Sequence, residues 1–375
     1  MKLMVIFGTR PEVIKVAPVI SEARRNADDV ELLICSTNQH REMLDQTMAV
    51  FDISPDIELA VMRDNQSLPE LTARLIESLA DVIAEHRSDV VIVQGDTTSA
   101  FAAALAAFYN HIPVAHVEAG LRTGNLNSPF PEELNRMMIG RIAHWHFAPT
   151  QRAEQNLIHE GVDELSIVVT GNTVVDTVQM IRITWENEET KDQFTSYFPG
   201  RELVLITAHR RESFGRGLQQ ICMAIRTLCS SYPKLGFVFP VHLNPQVRTV
   251  VHELLAGLDN LQLIEPVDFQ TSLYLQSQAR LIITDSGGIQ EEAPSFAVPT
   301  VVVREHTERS EGVEAGFATL AGTEANAIVQ AAESYLQDTE IRQRLRNSAN
   351  PYGDGLACQR IIATLLGESV EAFHG

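Results

Sequence analysis

Three carboxylates fall just after short apolar runs, where an α/β protein does its chemistry. Asp96 lies in Gln94-Gly95-Asp96-Thr97-Thr98-Ser99, and Glu118 in His116-Val117-Glu118-Ala119-Gly120-Leu121-Arg122. Glu132 opens a helical stretch after Ser128-Pro129-Phe130-Pro131. Arg10 and Lys15 belong to Gly8-Thr9-Arg10-Pro11-Glu12 and to the first turn behind it. Pro11 suits the first helical position, where its missing N–H costs nothing. Each group has a plain structural alternative. Asp96 would serve as a helix N-cap, Glu132 and Glu133 as charges favoured by a helix start, and Arg10 and Lys15 as surface cations. Glu118 ends an apolar strand, so its carboxylate needs a partner, and Arg122 is one candidate. Taken together, three carboxylates and two cations at neighbouring strand ends make a cluster that stability alone does not favour. Proton transfer does.

The second half of the chain supplies an anion seat. Asp285-Ser286-Gly287-Gly288-Ile289-Gln290-Glu291-Glu292 follows a strand-like apolar run and precedes Ala293-Pro294, where a short helix should be interrupted. A strand leading through Ser-Gly-Gly into a helix start leaves N–H groups pointing one way, along the positive end of the helix dipole. Gly287 and Gly288 let a phosphate approach where a Cβ would collide. Glu291 or Glu292, one turn in, is placed to accept from a ribose. A tight turn with no ligand is the competing reading. His209, followed by Arg210 and Arg211, suits a site that handles negative charge, or else a salt-bridged loop. His242 is a second, weaker strand-end histidine, and Arg309 is placed to close on a diphosphate. His144 and His146 would share a strand face but have no acidic or Cys companion, so no metal is expected. No GxGxxG dinucleotide fingerprint occurs.

The elements that must position these groups alternate. Strand-like runs at 3–7, 31–36, 90–94, 114–117, 144–148 and 166–170, then 203–207, 236–241, 261–265, 281–284 and 300–303, are separated by helical patterns. Residues 68–85 are one such pattern, with a Leu71, Leu75, Leu79, Val82 stripe. That alternation predicts parallel sheets with crossover helices. A polar, charged stretch within 171–201 marks the connection between two Rossmann-like, doubly wound domains facing a central cleft. The expected division is 1–171 and 172–356, with a terminal helical segment (357–375) crossing back. Open sheets of this kind bind ligands at the carboxyl ends of their strands.

A length of 375 residues accommodates two cores, and 45% hydrophobic with 21% charged residues is ordinary for a globular protein. A formal net charge of -20 argues against nucleic acid or an anionic membrane as partner, so a phosphate ligand must be held by a few local cations and backbone dipoles. Cys35, Cys222, Cys229 and Cys358 show no CxxC or metal spacing and read as reduced thiols. Residues 100–109 are too short to span a bilayer, and the chain enters its first strand without a signal-peptide pattern. A cytoplasmic protein is expected.

Gly8-Thr9-Arg10-Pro11-Glu12-Val13-Ile14-Lys15, Gly95-Asp96-Thr97-Thr98, His116-Val117-Glu118-Ala119-Gly120-Leu121-Arg122-Thr123, Pro131-Glu132-Glu133, Asn135-Arg136, Thr170-Gly171-Asn172-Thr173, His209-Arg210-Arg211-Glu212 and residues 285–292 arrive in one order. In these motifs the chain resembles the non-hydrolysing UDP-N-acetylglucosamine 2-epimerases, from residue 3 to about residue 366. The resemblance implies the two-Rossmann-domain architecture shared with GT-B glycosyltransferases, a UDP-sugar substrate, no nicotinamide, flavin or metal cofactor, and a homodimer. It implies that UDP and the C2 proton leave together to give a glycal, and that UDP then adds back with protonation on the opposite face. Two faces need at least two acid–base groups. By the same resemblance, Asp96, Glu118 and Glu132 are the acid–base cluster, His209 is the catalytic-site histidine, and Arg136 organises the carboxylates. Arg10, Lys15, Ser286, Gly287, Gly288, Glu292 and Arg309 are the nucleotide-sugar contacts.

Some members are activated by a second substrate molecule, and Gln39, Arg210 and His242 resemble parts of that second site. Glu42 and Asn65 stand where activated members tend to carry Gln and Arg. Loss of the arginine removes a charge partner for a second diphosphate, so weak or absent activation is expected. The alternatives are a hydrolysing epimerase releasing ManNAc and UDP, which fits Pro11-Glu12 less well, and a GT-B-type glycosyltransferase, which would not need three carboxylates around one sugar carbon.

Overall fold

The computed structural model describes residues 1–38, 41–63, 66–185, 197–210 and 214–375, with residues 41–43 described by their backbone alone. One parallel sheet contains β1 (Lys2–Phe7), β2 (Glu31–Ser36), β3 (Ile57–Glu58), β4 (Val90–Gln94), β5 (Val114–Val117), β6 (Trp145–Ala148) and β7 (Ile167–Val169), in the order β3-β2-β1-β4-β5-β6-β7. A second contains β8 (Leu203–Thr207), β9 (Gly236–Pro240), β10 (Leu261–Ile264), β11 (Ala279–Thr284), β12 (Thr300–Val302) and β13 (Ala318–Leu320), in the order β10-β9-β8-β11-β12-β13. Each sheet winds outward from its first strand and then reverses, which is the Rossmann order. The reversal lies between β1 and β4 in one sheet and between β8 and β11 in the other.

Packing divides the chain into Met1–Thr177 with Gly353–Gly375, and Val178–Tyr352. In the first unit β4 is buried at every residue, as a strand covered on both faces by helices must be. The helix Leu68–His86 shows how local chemistry sets an element. Ser67 and Glu70 form a capping box at its start, Leu71, Leu75, Leu79 and Ile83 bury one face, and Arg87 ends it in a left-handed conformation. Ile83 takes the inward place expected of Val82, because a four-residue step from Leu79 keeps the stripe on one side. The segment Gly353–Gly375 returns to this unit, where the helix Ala357–Leu365 adds Cys358, Ile361, Ile362 and Leu365 to the core around Val13, Val16 and Ile20.

In the second unit, β8, β9, β11 and the helix Arg216–Ser231 enclose a separate core around Val204, Ile225, Phe237 and Ile283. Two strands were not expected from the sequence, β3 and β13. With two and three residues they carry too little alternation to be seen, and their pairing to β2 and β12 defines them. Thr300–Val302 is therefore not the last strand. No described helix is long and apolar enough to cross a membrane.

Candidate active site

In the first unit the loops after β1, β4 and β5 are tied together by charge. Lys15, on the helix Arg10–Arg25, forms an ion pair with Glu118, both side chains being about nine-tenths buried. Gln94 Nε2 donates to the same carboxylate at 2.9 Å. Glu118 has φ 66, a left-handed conformation that a non-glycine residue adopts only when its surroundings enforce it. Asp96 Oδ2 lies 2.5 Å from Arg136 Nη2, and Asn135 Nδ2 donates to the Asp96 carbonyl at 2.9 Å. Glu133, 1% exposed, stands 3.4 Å from Arg136 Nη1 and accepts the N–H groups of Thr123 and Gly124. The helix Glu132–Ile142 thus turns Glu133, Asn135 and Arg136 inward to hold Asp96. Among the described residues Arg136 Nε is buried without a hydrogen-bond partner, a donor to spare beside a carboxylate. Glu132 is half-buried, and its carboxylate has no ion pair or hydrogen bond among the described residues. Arg10 is exposed at the helix start.

One candidate pairing and one structural alternative for this unit are set aside. Arg122 does not partner Glu118; its guanidinium grips Glu160 at 2.7 and 2.8 Å. The chain turns at Glu118 and again at Gly120, where φ is 91°, and carries Arg122 toward the end of the helix Gln151–His159. Asp96 is not an N-cap either. Thr97 caps the helix Thr98–Tyr109 by accepting from Ala100 N–H, which leaves the Asp96 carboxylate for Arg136.

Two buried residues support these loops and were not singled out in the sequence. His116 on β5 is fully buried, with Nε2 2.7 Å from the Gly95 carbonyl. A carbonyl only accepts, so Nε2 carries the hydrogen. Burial, opposed by that bond, pushes the imidazole pKa down to about 3, so the ring stays neutral. Gly95 N–H in turn donates to Val117 O. Gly95, the residue in front of Asp96, is therefore fastened to β5 through both its carbonyl and its N–H. Glu12, also fully buried, accepts Gly8 and Thr9 N–H at 3.1 and 2.8 Å and the Thr97 hydroxyl at 2.7 Å. It joins the loops on either side of the β1/β4 reversal. Burial pushes its pKa up to about 7 against those hydrogen bonds. Gly8 is required here, since a Cβ would overlap the Thr37 and Ser99 hydroxyls. A buried His within an apolar run and a Glu three residues after Thr9 are the signals by which both were detectable.

In the second unit the loops after β8 and β11 meet at Asp285. Its Oδ2 accepts the N–H groups of His209 and Arg210 at 2.7 and 2.8 Å, and Oδ1 lies 3.2 Å from His209 Nδ1. Burial opposes the charge of Asp285, but His209 and the two N–H groups outweigh it and hold the carboxyl below its usual range. His209 is 41% exposed, and Asp285 faces its Nδ1 side. The His242 ring stacks on it with centroids 5.8 Å apart. Burial, then the neighbouring His209, holds the His242 pKa down.

Ser286 begins the helix Gly287–Glu292, which gives way to a 3-10 turn at Ala293–Phe296. With six residues its dipole is small, so backbone N–H groups and Arg309 matter more to an anion. A Cβ on Gly287 would stand 3.0 Å from the Arg309 guanidinium carbon, so glycine is what lets that arginine lie against the turn. Arg309 is paired with Glu291 at 3.0 Å and with Glu308. Burial works against the Glu308 charge, yet Arg309 and Arg304 prevail and hold its pKa at about 2. Gln276 donates to Glu292 at 2.6 Å. The Tyr352 hydroxyl donates to the Arg309 carbonyl and accepts Gly312 N–H, which fixes the loop bearing Arg309. Asp285, Gln276 and Tyr352 were not assigned from the sequence. Gln39, Asn65, Arg211 and Glu212 lie outside the described residues, as does the Glu42 side chain. His146 is occupied by Gly140 O and Ser166 Oγ, and among the described residues no three His, Cys, Asp or Glu side chains are grouped to hold a metal.

Two Rossmann-like units, one with cation-paired carboxylates at its strand ends and one with a Ser-Gly-Gly turn beside an Asp–His pair, define a GT-B-like protein. Residues 22–366 match the family model described as UDP-N-acetylglucosamine 2-epimerase. The UDP-N-acetylglucosamine 2-epimerase of Yersinia pestis is 47% identical over 99% of this chain and 100% of its own, and that of Escherichia coli K12 is 45% identical over 97% and 98%. The crystal structure of the Neisseria meningitidis enzyme bound to UDP-GlcNAc superposes with a TM-score of 0.92 at 45% identity, covering 98% of this chain and 100% of that one. That of Methanocaldococcus jannaschii with UDP-GlcNAc and UDP gives 0.84 at 34%, with the same coverage. The chain belongs to the UDP-N-acetylglucosamine 2-epimerase family.

Two outcomes are expected from the supporting residues. His116→Ala should lower kcat about tenfold with KM within about twofold, the loss expected for one hydrogen bond that aims the loop bearing Asp96. His116→Gln, whose amide can still donate to Gly95, should recover most of it; equal loss in both variants, or none in either, would contradict the role. Glu12 binds its proton more tightly folded (about 7) than at the ordinary 4.5. Its contribution to stability is thus complete below about 4.5 and lost as pH rises through about 7. In urea unfolding, wild type should lose stability relative to Glu12→Gln across that window, and a constant difference would argue against it.

Proposed function

We propose that the protein interconverts UDP-N-acetylglucosamine and UDP-N-acetylmannosamine by inverting C2 without net hydrolysis. One observation carries this reading: Asp96 and Glu118 sit at adjacent strand ends, each held by its own buried cation. A C2 proton is poorly acidic, and inversion must take it from one face and return it to the other. A carboxylate accepts that proton while the C1–O bond breaks. The electron pair of the C–H bond forms the C1=C2 double bond, and UDP departs with the C–O pair. In return, UDP oxygen attacks C1 and a second acid protonates C2 on the opposite face. We assign the two faces to the set Asp96, Glu118 and Glu132. Glu132, with no partner among the described residues, is the member freest to exchange a proton with a ligand. Arg136 holds Asp96, and His209, oriented by Asp285, acts beside the departing UDP.

For the nucleotide we assign the Ser286, Gly287 and Gly288 turn and Arg309 to the diphosphate, Glu292 to the ribose, and Arg10 and Lys15 to further contacts with the substrate. Arg309 would exchange part of its pairing with Glu291 and Glu308 for phosphate oxygens. Arg210 and His242 flank His209 and remain our candidates, with Gln39, for a second nucleotide-sugar subsite. We further propose a cytoplasmic homodimer that supplies surface-polysaccharide synthesis. Four buried free cysteines support a reducing compartment, and exposed Phe108, Tyr109, Leu134 and Met138 on two packed helices support self-association.

The reaction is checked by incubating the enzyme with UDP-GlcNAc in D2O. Deuterium should appear at C2 of UDP-ManNAc by NMR, and Asp96→Asn, Glu118→Gln and Glu132→Gln should each slow its appearance about 100-fold or more. UDP-ManNAc formed without deuterium would refute the mechanism, and free ManNAc in its place would identify a hydrolase.

A further inference from the structure

The second unit contains a cavity of about 570 Å³ that no step above uses. Three arginines line it, Arg182, Arg342 and Arg346, together with the rings of Trp185, Tyr274 and Phe296. The rings pack on one another, with Trp185 edge-on to Tyr274 at 5.7 Å and stacked on Phe296 at 6.0 Å. Among the described residues no carboxylate lines the cavity, and none of the three arginines has an ion pair. In a chain with 29 Lys and Arg against 49 Asp and Glu, cations find acidic partners readily, so three without one in a single cavity are notable.

Arg182 and Arg346 are exposed, and solvent alone accounts for surface arginines. It does not account for two other donors. Among the described residues Arg342 Nε and Trp185 Nε1 are both buried without a hydrogen-bond partner, and Trp185 is only 8% exposed. Buried donors left unpaired cost free energy, which a ligand recovers only once the side chains turn to meet it, since both atoms are closed to solvent as they stand. The field acts in the same direction. Burial, then the neighbouring Arg346, hold the Arg342 pKa below its ordinary range, and Glu202, which opposes them, is itself paired with Arg280.

We propose that this cavity binds a nucleoside phosphate. A phosphate carries up to about two negative charges and three acceptor oxygens, enough to engage several guanidinium groups, where one carboxylate would leave most of their charge unmatched. The aromatic wall receives the flat base, by stacking or edge contact, and Trp185 Nε1 donates to it. The volume lies within the ~300–1,000 Å³ of small-molecule sites. Nothing in the site resembles the Ser-Gly-Gly seat, and the proposal does not depend on the reaction assigned above.

The chain has two tryptophans, Trp145 and Trp185, so Trp145→Phe leaves a single reporter in the cavity. ADP, whose base differs from uracil, should change Trp185 fluorescence saturably in that background, and adenosine should not. Arg342→Gln and Arg346→Gln should each weaken the ADP response about tenfold or more, while far-UV circular dichroism and turnover stay unchanged. The exposed position of Arg346 protects the test against a variant that fails to fold. No ADP-dependent change, or one that both substitutions leave intact, would overturn the proposal.

Discussion

The ion pair between Lys15 and Glu118 is the constraint on which the first unit's site depends. Two nearly buried charges are costly apart, so each fixes the other's position. Lys15 comes from the helix after β1 and Glu118 from the end of β5, so the pair spans the point where the strand order reverses. Glu118 is held in a left-handed backbone conformation that its own residue type disfavours, and Gln94 from β4 adds a third tether. The strain and the ion pair belong together. The turn aims the carboxylate back over the sheet edge, and the lysine offsets the charge once it is there. Around this pair the other loops are locked by hydrogen bonds: His116 on Gly95, Asn135 on the Asp96 carbonyl, Glu12 on Gly8, Thr9 and Thr97. Charge sets the positions, and hydrogen bonding keeps them.

The second unit uses the same economy with fewer charges. Asp285 is fully buried, accepts two backbone N–H groups and stands 3.2 Å from the His209 imidazole, so its charge orients that ring. The Ser-Gly-Gly turn beside it has little helix behind it. The diphosphate hold proposed for it would therefore come from N–H groups and from Arg309, whose charge is for the present shared by Glu291 and Glu308. A diphosphate arriving there would compete with carboxylates already in place, which favours a hold that is firm and reversible. An enzyme that detaches UDP and must reattach the same molecule needs that kind of hold.

Much of this was legible in the sequence. Most strands fell within one or two residues of their observed bounds, because buried parallel strands write themselves as continuous β-branched runs. The strand-end motifs marked the polar loops for the same reason, since chemistry-bearing residues stood out directly after apolar ones. What escaped were interactions without a local signature. Arg122 looked like the partner of Glu118 because it is four residues away, but a turn with two positive φ values separates them. The true partner, Lys15, is 103 positions distant and reaches Glu118 only through the pairing of β1, β4 and β5. Asp285 read as the first residue of a phosphate turn, and only the adjacency of β8 and β11 shows that it orients His209. Strands β3 and β13 were invisible because two or three residues have no period.

The central claim is that the C1–O bond of the nucleotide sugar breaks and re-forms while UDP stays bound. It is tested most directly with UDP-GlcNAc carrying ¹⁸O in the bridge between C1 and the β-phosphorus. If the bond breaks, rotation of the freed phosphate makes the labelled oxygen equivalent to its neighbours. The label should then be recovered in non-bridging β-phosphate positions of both UDP-GlcNAc and UDP-ManNAc by ³¹P NMR. Epimerisation that proceeds with the label still confined to the bridge would contradict it.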